Sequence, residues 1–223
     1  MVQDWKETVR TMSLRHQVID QIINAIAQGN LKPGERIVEV ELAKKLGISR
    51  GPVREALSTL VQDGILENLP YKGTFVVELN RKEIRDVFTL RALLEEFAVR
   101  RIMERDREET ARNLWNVYFE LTERVKSRQL NKIAEVDMKF HETLVLAADH
   151  HHLYRAWTPL KYRVLLYFIL TIEKRYETFD EFLELHAELV RAIESGDTER
   201  AVREINRHII QAGENLLLHI PRD

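Results

Sequence analysis

The chain has 223 residues, 44% of them hydrophobic and 31% charged, and a formal net charge of −2 at pH 7. This length allows one large domain or two small ones, and any basic surface for a polyanion must be local. The chain lacks cysteine, and its first residues lack the apolar core of a signal peptide. Its most apolar run, 164–172, is too short to span a membrane. We therefore expect a cytoplasmic protein without a membrane partner.

The first predicted elements are a helix and a helix-turn-helix. Apolar residues at helical spacing predict a helix over 8–28. Residues 39–64 then indicate two short helices joined by a tight turn. Gly47 is expected to end the first of them because glycine tolerates the left-handed conformation, and Ser49 is a suitable N-cap whose hydroxyl can accept from a backbone N–H of the second.

The second short helix begins with basic side chains. Arg50 and Arg54 are four residues apart and therefore share one face, while Pro52 lies in the first turn, where a missing N–H costs little. A recognition helix presents base-reading side chains at this end, and arginine can donate two hydrogen bonds to guanine. The alternative is that the two arginines pair with Glu55 or Asp63 on a solvated face. The complete pattern favours DNA reading.

Two short strands, 65–68 and 74–78, follow and predict a wing with a turn at 70–73. Lys72 suits a phosphate and Gly73 lets the backbone approach closely, although an ordinary hairpin with a solvated lysine is the alternative. Residues 36–54 carry a local net charge of +3. The residues that we expect to face DNA are Arg36, Lys44, Ser49, Arg50, Gly51, Pro52, Arg54, Lys72 and Gly73.

The rest of the chain is helical by pattern. We expect a winged helix-turn-helix domain over 1–78, a polar linker over 79–82 and an all-α helical bundle over 83–223, which makes the fold mainly α. The predicted helices, whose limits follow the breaks in the apolar pattern, are 81–105, 107–128, 130–148, 150–175, 179–195 and 197–218.

One aspartate and three histidines share the apolar stripes of three of these helices. Asp137 and His141 lie one turn apart on the first, and His186 and His208 fall among the inward positions of the two last helices. Burying a charge without a partner costs on the order of several kcal/mol. A divalent cation would satisfy all four side chains, and nitrogen and carboxylate ligands suit zinc, nickel or manganese.

The alternatives for this cluster are structural. Each histidine alone could be a hydrogen-bonded core residue, and Asp137 could pair with Lys132 or Lys139 if the helical phase differs. The run 150–152, three histidines at a helix start, is interpreted as a solvated or capping cluster instead of a second metal site.

The motif LGISRGPVREAL closely resembles the signature of GntR-type bacterial transcription regulators. DMKFHETL, followed by LHAELVRAIESGDTERAVREINRHI, resembles the FCD-type effector domain of the FadR subfamily, so the resemblance covers essentially the whole chain. The resemblance implies a protein that binds operator DNA and regulates transcription. Val40 stands where some relatives have a basic residue, and Gly51 where they often have a hydroxyl residue.

The resemblance also implies the ligands of the metal. In metal-binding members, an aspartate, a histidine four residues later and one histidine from each of two later helices hold the ion. These positions are Asp137, His141, His186 and His208 in this chain.

Small carboxylates are the effectors that the resemblance implies. Arg91 lies on the apolar side of its helix and offers a fork of donors to a carboxylate, although an internal pair with Glu95 is the alternative. Arg163, beside Tyr167 one turn later, is a weaker effector-binding candidate by the same argument.

We therefore expect a transcription regulator controlled by a small organic acid at a divalent metal site, with zinc as the first choice. A single recognition helix reads few base pairs, so a homodimer is expected. The alternatives are a helical metalloenzyme and a regulator with a purely structural metal. The chain has no His-Asp dipeptide and no Glu-x-x-His motif, which disfavours the enzyme.

Overall fold

The computed structural model describes residues 13–78, 80–128, 130–175 and 179–220. The chain divides into two compact units between Glu78 and Leu79. The fold is mainly α, as expected, with a helix-turn-helix and a small antiparallel sheet in the first unit and a helical bundle in the second.

The first unit packs its longest helix against the second helix of the helix-turn-helix. Its elements are α1 Leu14–Ala27, β1 Arg36–Ile37, α2 Glu39–Leu46, α3 Arg50–Gln62, β2 Leu66–Leu69 and β3 Gly73–Val76. The sheet has the order β1-β3-β2 and both pairings are antiparallel. Strand β1 was not expected, and residues 8–12 of the predicted first helix lie outside the described residues. The core of this unit is formed by Val18, Ile22, Ile26, Val53, Leu57 and Leu60.

The turn between α2 and α3 forms at the predicted residues. Gly47 ends α2 in the left-handed conformation, with φ 67°. Ser49 occupies the N-cap position of α3, but its hydroxyl makes no capping hydrogen bond. The expectation of a hydroxyl cap is therefore wrong, and the extended backbone of Ser49 alone begins the helix.

The second unit contains long helices whose ends lie within two residues of the predicted ones. They are α4 Arg81–Met103, α5 Arg107–Lys126, α6 Leu130–Ala147, α7 His151–Arg175, α8 Asp180–Ser195 and α9 Thr198–Leu217. Of the expected linker, Asn80 caps α4 through its side chain, and Arg81 with Lys82 forms the first turn of that helix. None of the helices in the described part of the chain has the length and apolarity needed to cross a membrane.

Helices α4 and α9, the first and last of the bundle, pack closely against each other. A Cβ atom added at Gly213 of α9 would lie 2.8 Å from Cγ of Phe88, so glycine permits this approach. Arg81 Nη1 donates to the carbonyls of Leu217 and Ile220, at 2.6 and 2.8 Å. The start of α4 is thus fixed to the end of α9.

Candidate functional site

Four metal-ligand side chains converge inside the bundle. Asp137 and His141 come from α6, His186 from α8 and His208 from α9, and one donor atom of each lies within 4.8 Å of the others. Their exposed fractions are 4%, 1%, 0% and 5%. The shared helical phase predicted this cluster, and the structure brings all four residues together.

The separations between the donor atoms suit a common ion. His186 Nε2 lies 2.8 Å from Asp137 Oδ1, His208 Nε2 lies 3.1 Å from His141 Nε2, and His141 Nε2 lies 3.9 Å from Asp137 Oδ1. Ligands bound to one ion at about 2.1 Å lie roughly 3.0–3.4 Å apart in tetrahedral or octahedral geometry. These three separations are therefore within roughly 0.5 Å of that range.

Two of the rings are oriented by hydrogen bonds on the opposite nitrogen. His141 Nδ1 lies 2.6 Å from Glu95 Oε2, and His186 Nδ1 lies 2.8 Å from the carbonyl of Phe182. Both acceptors are oxygens, so each Nδ1 carries the proton and Nε2 faces the cluster. Histidine ligands of metals are usually held in this way.

The placement of protons on the rings leaves one ring nitrogen without a hydrogen-bond partner. Because His141 Nδ1 donates to Glu95, its Nε2 is an acceptor, and His208 Nε2 must donate to it. His208 Nδ1 is then a bare acceptor, buried and without a hydrogen-bond partner among the described residues. The contact between His186 and Asp137 also needs a proton. A divalent ion would replace these protons, so the residues fit a metal.

The electrostatics of the cluster favour the ligand forms. Burial, together with the neighbouring His186 and His141 rings, holds the pKa of His208 well below its ordinary value. Burial and the Arg91 cation lower the pKa of His141. Burial alone would raise the pKa of Asp137, but the His186 hydrogen bond and the nearby His141 keep it below its ordinary value. Neutral rings and an ionised carboxylate are the species that bind divalent metals.

Glu95 of α4 connects the cluster to Arg91. It is fully buried and accepts from Arg91 Nε at 2.6 Å, from Trp157 Nε1 at 2.8 Å and from His141 Nδ1. Burial would raise its pKa, but Arg91 and His141 lower it to about 2. The internal pair considered for Arg91 is therefore formed. The additional contact of Glu95 with His141 was not predicted, although its spacing from Arg91 on the apolar side of α4 was a signal.

A small pocket reaches the cluster and Arg91. Arg91 Nη2 is buried and has no hydrogen-bond partner within the described ranges. The free space is about 30 Å³, roughly that of two water molecules, so the pocket admits only a small ligand unless its walls move. Besides Arg91, Asp137, His141 and His208, it is lined by the polar side chains of Glu181 and Asn215 and by apolar side chains that include Val164, Phe168, Phe182, Leu185 and Leu216.

The other two effector-binding candidates do not line this pocket. Arg163 forms an ion pair with Glu83 in the first turn of α4. Tyr167 is fully buried, and burial raises its pKa although the nearby Arg163 acts in the opposite direction. The ion pair of Arg163 joins α7 to α4.

The basic residues at the start of α3 share one carboxylate. Arg50 Nε donates to Glu39 Oε1 at 2.8 Å, and Arg54 donates from Nε and Nη2 to the two oxygens of Glu39, at 3.1 and 3.0 Å. This partner is neither Glu55 nor Asp63. Both side chains stay more than half exposed, so the arginines are held in place and still face solvent. The two arginines lower the pKa of Glu39.

The remaining candidates for DNA contact also lie on the surface of the first unit. Arg36, Lys44, Ser49, Gly51 and Lys72 are exposed, and Pro52 and Gly73 are half-buried. The Arg36 guanidinium lies against Gly73, where an added Cβ atom would be 3.0 Å from Arg36 Nε. Gly73 also has φ 109°, a backbone conformation that favours glycine.

Comparison with known proteins identifies the family of each unit. Residues 14–76 match the model of the bacterial regulatory proteins of the gntR family, and residues 86–211 match the FCD domain. A probable D-xylose utilization operon transcriptional repressor of Paenarthrobacter nicotinovorans is 32% identical over 92% of this chain and 88% of its own length. The gluconate operon transcriptional repressor of Bacillus subtilis is 28% identical over 82% of this chain and 76% of its own.

Solved structures show the same fold. E. coli McbR/YncC covers 93% of this chain and 99% of its own, with a TM-score of 0.76 at 24% identity. A putative GntR transcriptional regulator from Rhodococcus sp. RHA1 gives 0.75 at 20% identity over 94% of this chain and 100% of its own. The named relatives are regulators and not enzymes, which removes the metalloenzyme alternative. The chain therefore belongs to the GntR family of bacterial regulators, in the FadR subfamily with a C-terminal FCD domain, and is a DNA-binding transcription regulator.

Proposed function

We propose that operator binding by this regulator responds to a small carboxylate held beside a divalent metal ion in the helical unit. The convergence of Asp137, His141, His186 and His208 carries the proposal. Three imidazoles and one carboxylate favour zinc, with nickel or manganese as the other choices. When bound, the ion supplies a Lewis-acidic position for an oxygen atom of the ligand.

Arg91 is the protein group that we assign to the carboxylate of the effector. Its Nε atom is held by Glu95 at 2.6 Å, its buried Nη2 atom has no hydrogen-bond partner among the described residues, and the residue lines the pocket. Fixing one side of the guanidinium leaves the other side oriented for an anion. Two relatives take their names from D-xylose utilization and gluconate operons, so small sugar acids and hydroxy acids are the first effectors to test.

Helix α4 is placed to carry the response. It carries Arg91, which lines the pocket, and Glu95, which contacts His141, and it begins at Arg81, soon after the wing. Arg81 is bound to the end of α9, which also carries His208. A ligand that binds two arrangements of these helices unequally shifts their equilibrium by its differential affinity, typically about 1–3 kcal/mol.

We further propose that the protein binds a near-palindromic operator as a homodimer. Leu90, Leu93 and Phe97 form an exposed apolar row on α4, at the spacing of one helix face. Such a row suits a second copy of the same helix. Sedimentation at micromolar concentration should give a dimer for the wild type and a monomer for Leu93→Glu, and a wild-type monomer on DNA would contradict the proposal.

The test begins with an operator selected by the wild-type protein from a random duplex library. Metal content is measured by elemental analysis, and operator affinity by fluorescence anisotropy with and without a panel of small acids. We expect His208→Ala to lose both the metal and the response to acid. His152→Ala, which changes an exposed histidine at the start of α7, is the matched control and should keep both.

A chelator separates the proposal from the structural-metal alternative. Metal removal should lower thermal stability in both cases, because an ion that binds only the folded state stabilises it. Loss of the acid response on chelation supports the proposal, whereas operator affinity that never responds to an acid supports a structural metal. If the wild-type protein takes up no divalent ion under any loading condition, the proposed switch is wrong.

A further inference from the structure

The pocket beside the cluster has a buried end and an exposed end. Arg91 and Asp137, which line it, are buried, whereas Asn215 is half-buried and Glu181 is exposed. This change in exposure indicates that the pocket runs from the cluster to the surface of the helical unit. A ligand whose carboxylate lies at Arg91 therefore has its other end towards Glu181 and Asn215.

The buried end has a charge balance that one carboxylate completes. Of the Arg, Lys, Asp and Glu side chains in the described part of the chain, only Arg91, Glu95 and Asp137 are buried. The histidine rings bind a metal in their neutral form, so this one cation and two carboxylates leave a single negative charge. A divalent ion converts it to a single positive charge. Because a buried charge is costly unless it is neutralised, a ligand with one carboxylate fits this end best.

The exposed end carries an acidic side chain that is held in place. Glu181 Oε1 accepts from Gln211 Nε2 at 2.6 Å, and Gln211 is a neutral partner. No cation pairs with Glu181 among the residues that the structure describes. A second carboxylate on the ligand would meet a like charge here, whereas a hydroxyl group can donate to Glu181 and bond to the amide of Asn215.

We propose that the effector is a monocarboxylate with hydroxyl groups at the end away from its carboxylate, and that Glu181 excludes dicarboxylates. The inference rests on the proposed function, since it requires an acid beside the metal. It adds the number of charges on that acid and names the residue that selects it. Both ends of the pocket lead to the same class of ligand, one through the balance of buried charge and the other through repulsion.

The first test uses pairs of acids that differ only at the last carbon, where a hydroxymethyl group is replaced by a carboxylate. Glycerate with tartronate is a short pair, and gluconate with glucarate is a long one. Isothermal titration of metal-loaded, full-length protein gives the ratio of the two affinities in each pair. In the pair that fits the pocket, we expect the wild type to prefer the monocarboxylate about ten-fold or more.

Substitutions of Glu181 then separate its charge from the rest of the site. Glu181→Gln keeps nearly the same shape and should lower the ratio about five-fold, and Glu181→Lys should favour the dicarboxylate. Comparing ratios between proteins cancels the stronger chelation of the ion by a dicarboxylate. Glu184→Gln is the matched control, because Glu184 is an exposed carboxylate of α8 that pairs with Arg191 and is not among the residues that line the pocket. It should keep the wild-type ratio.

Two further measurements identify the physical cause of the preference. Repulsion by an exposed carboxylate is screened, so the wild-type ratio should fall as the salt concentration rises, whereas a steric preference would not change. The wild type should also bind glycerate more tightly than lactate, which has a methyl group in place of the terminal hydroxymethyl group. Asn215→Leu should reduce this second preference.

The outcomes distinguish this inference from the function on which it rests. The inference is overturned if the wild type binds a dicarboxylate as tightly as its matched monocarboxylate, or if Glu181→Gln keeps the wild-type ratio. If the metal-loaded wild type binds neither class of acid, the proposed function itself fails, and the selection by Glu181 fails with it.

Discussion

Glu95 Oε2 lies 2.6 Å from His141 Nδ1, so a carboxylate on α4 fixes the ring of a candidate metal ligand on α6. Glu95→Gln keeps the shape of the side chain but removes its charge. We expect metal affinity to fall about 10–100-fold, the usual effect of removing such an outer partner. Competition against a chromophoric chelator measures this affinity. Glu96→Gln, the neighbouring residue on α4, is the control, and equal affinities of the two variants would contradict the prediction.

Metal binding should persist to lower pH than ordinary histidines allow. Burial lowers the pKa of His208 and His141, so protons compete with the ion only below the ordinary histidine value of 6.5. In the metal-free protein the same shifts make the free energy of unfolding decrease as pH falls below 6.5, because the unfolded chain binds more protons. Chelator competition and chemical denaturation between about pH 4 and 8 measure both effects. Half-release of the ion above pH 6.5 would disagree with this prediction.

Loss of either arginine at the start of α3 should remove specific operator binding. We expect Arg50→Ala and Arg54→Ala each to cost about 1–3 kcal/mol of operator affinity while the fold is kept. Glu39→Gln should weaken binding as well, because one carboxylate holds both guanidinium groups. Arg112→Ala, an exposed arginine of the helical unit, is the control in the same anisotropy titration. If Glu39→Gln binds more tightly, Glu39 competes with DNA instead of orienting the arginines.

A methyl group at Gly213 should disturb the contact of α9 with α4. The added Cβ atom would lie 2.8 and 3.0 Å from Cγ and Cβ of Phe88; this Cβ cannot move away without a shift of the backbone, and Cγ only by a change of rotamer. We expect Gly213→Ala to lower the free energy of unfolding by about 1–3 kcal/mol, in spite of the better helix propensity of alanine. Gly51→Ala has open space around the added atom and should not destabilise the fold. Chemical denaturation of both variants measures the two free energies of unfolding.

The helices and the cluster of one aspartate and three histidines could be predicted because both follow from the same periodic pattern of apolar residues. The apolar positions of α6 set its inward face, and the same phase placed Asp137 and His141 on it. Strand β1 escaped prediction because two residues are too few to show alternation. The hydroxyl cap expected from Ser49 failed because residue type gives the position of a cap but not the rotamer.

Contacts between distant elements were the part that sequence reasoning could not supply. Glu39 bonds Arg50 from eleven positions earlier in the chain, on another helix, and Arg163 reaches Glu83 on α4. Such pairs depend on how two helices pack, which local periodicity does not encode. The ion pair of Arg91 with Glu95, in contrast, forms within one helix and was predicted as an alternative.

The pocket is lined by Arg91 and by three of the proposed ligands, Asp137, His141 and His208, which implies an order of events for the proposed switch. An ion entering by this route must arrive first, because an acid held by Arg91 would stand in its way. The same acid would then delay the departure of the ion, and chelators would strip the liganded protein more slowly than the free one. On the time scale of a metabolic change, the regulator would then respond to the concentration of the acid alone, because the bound ion would hardly exchange.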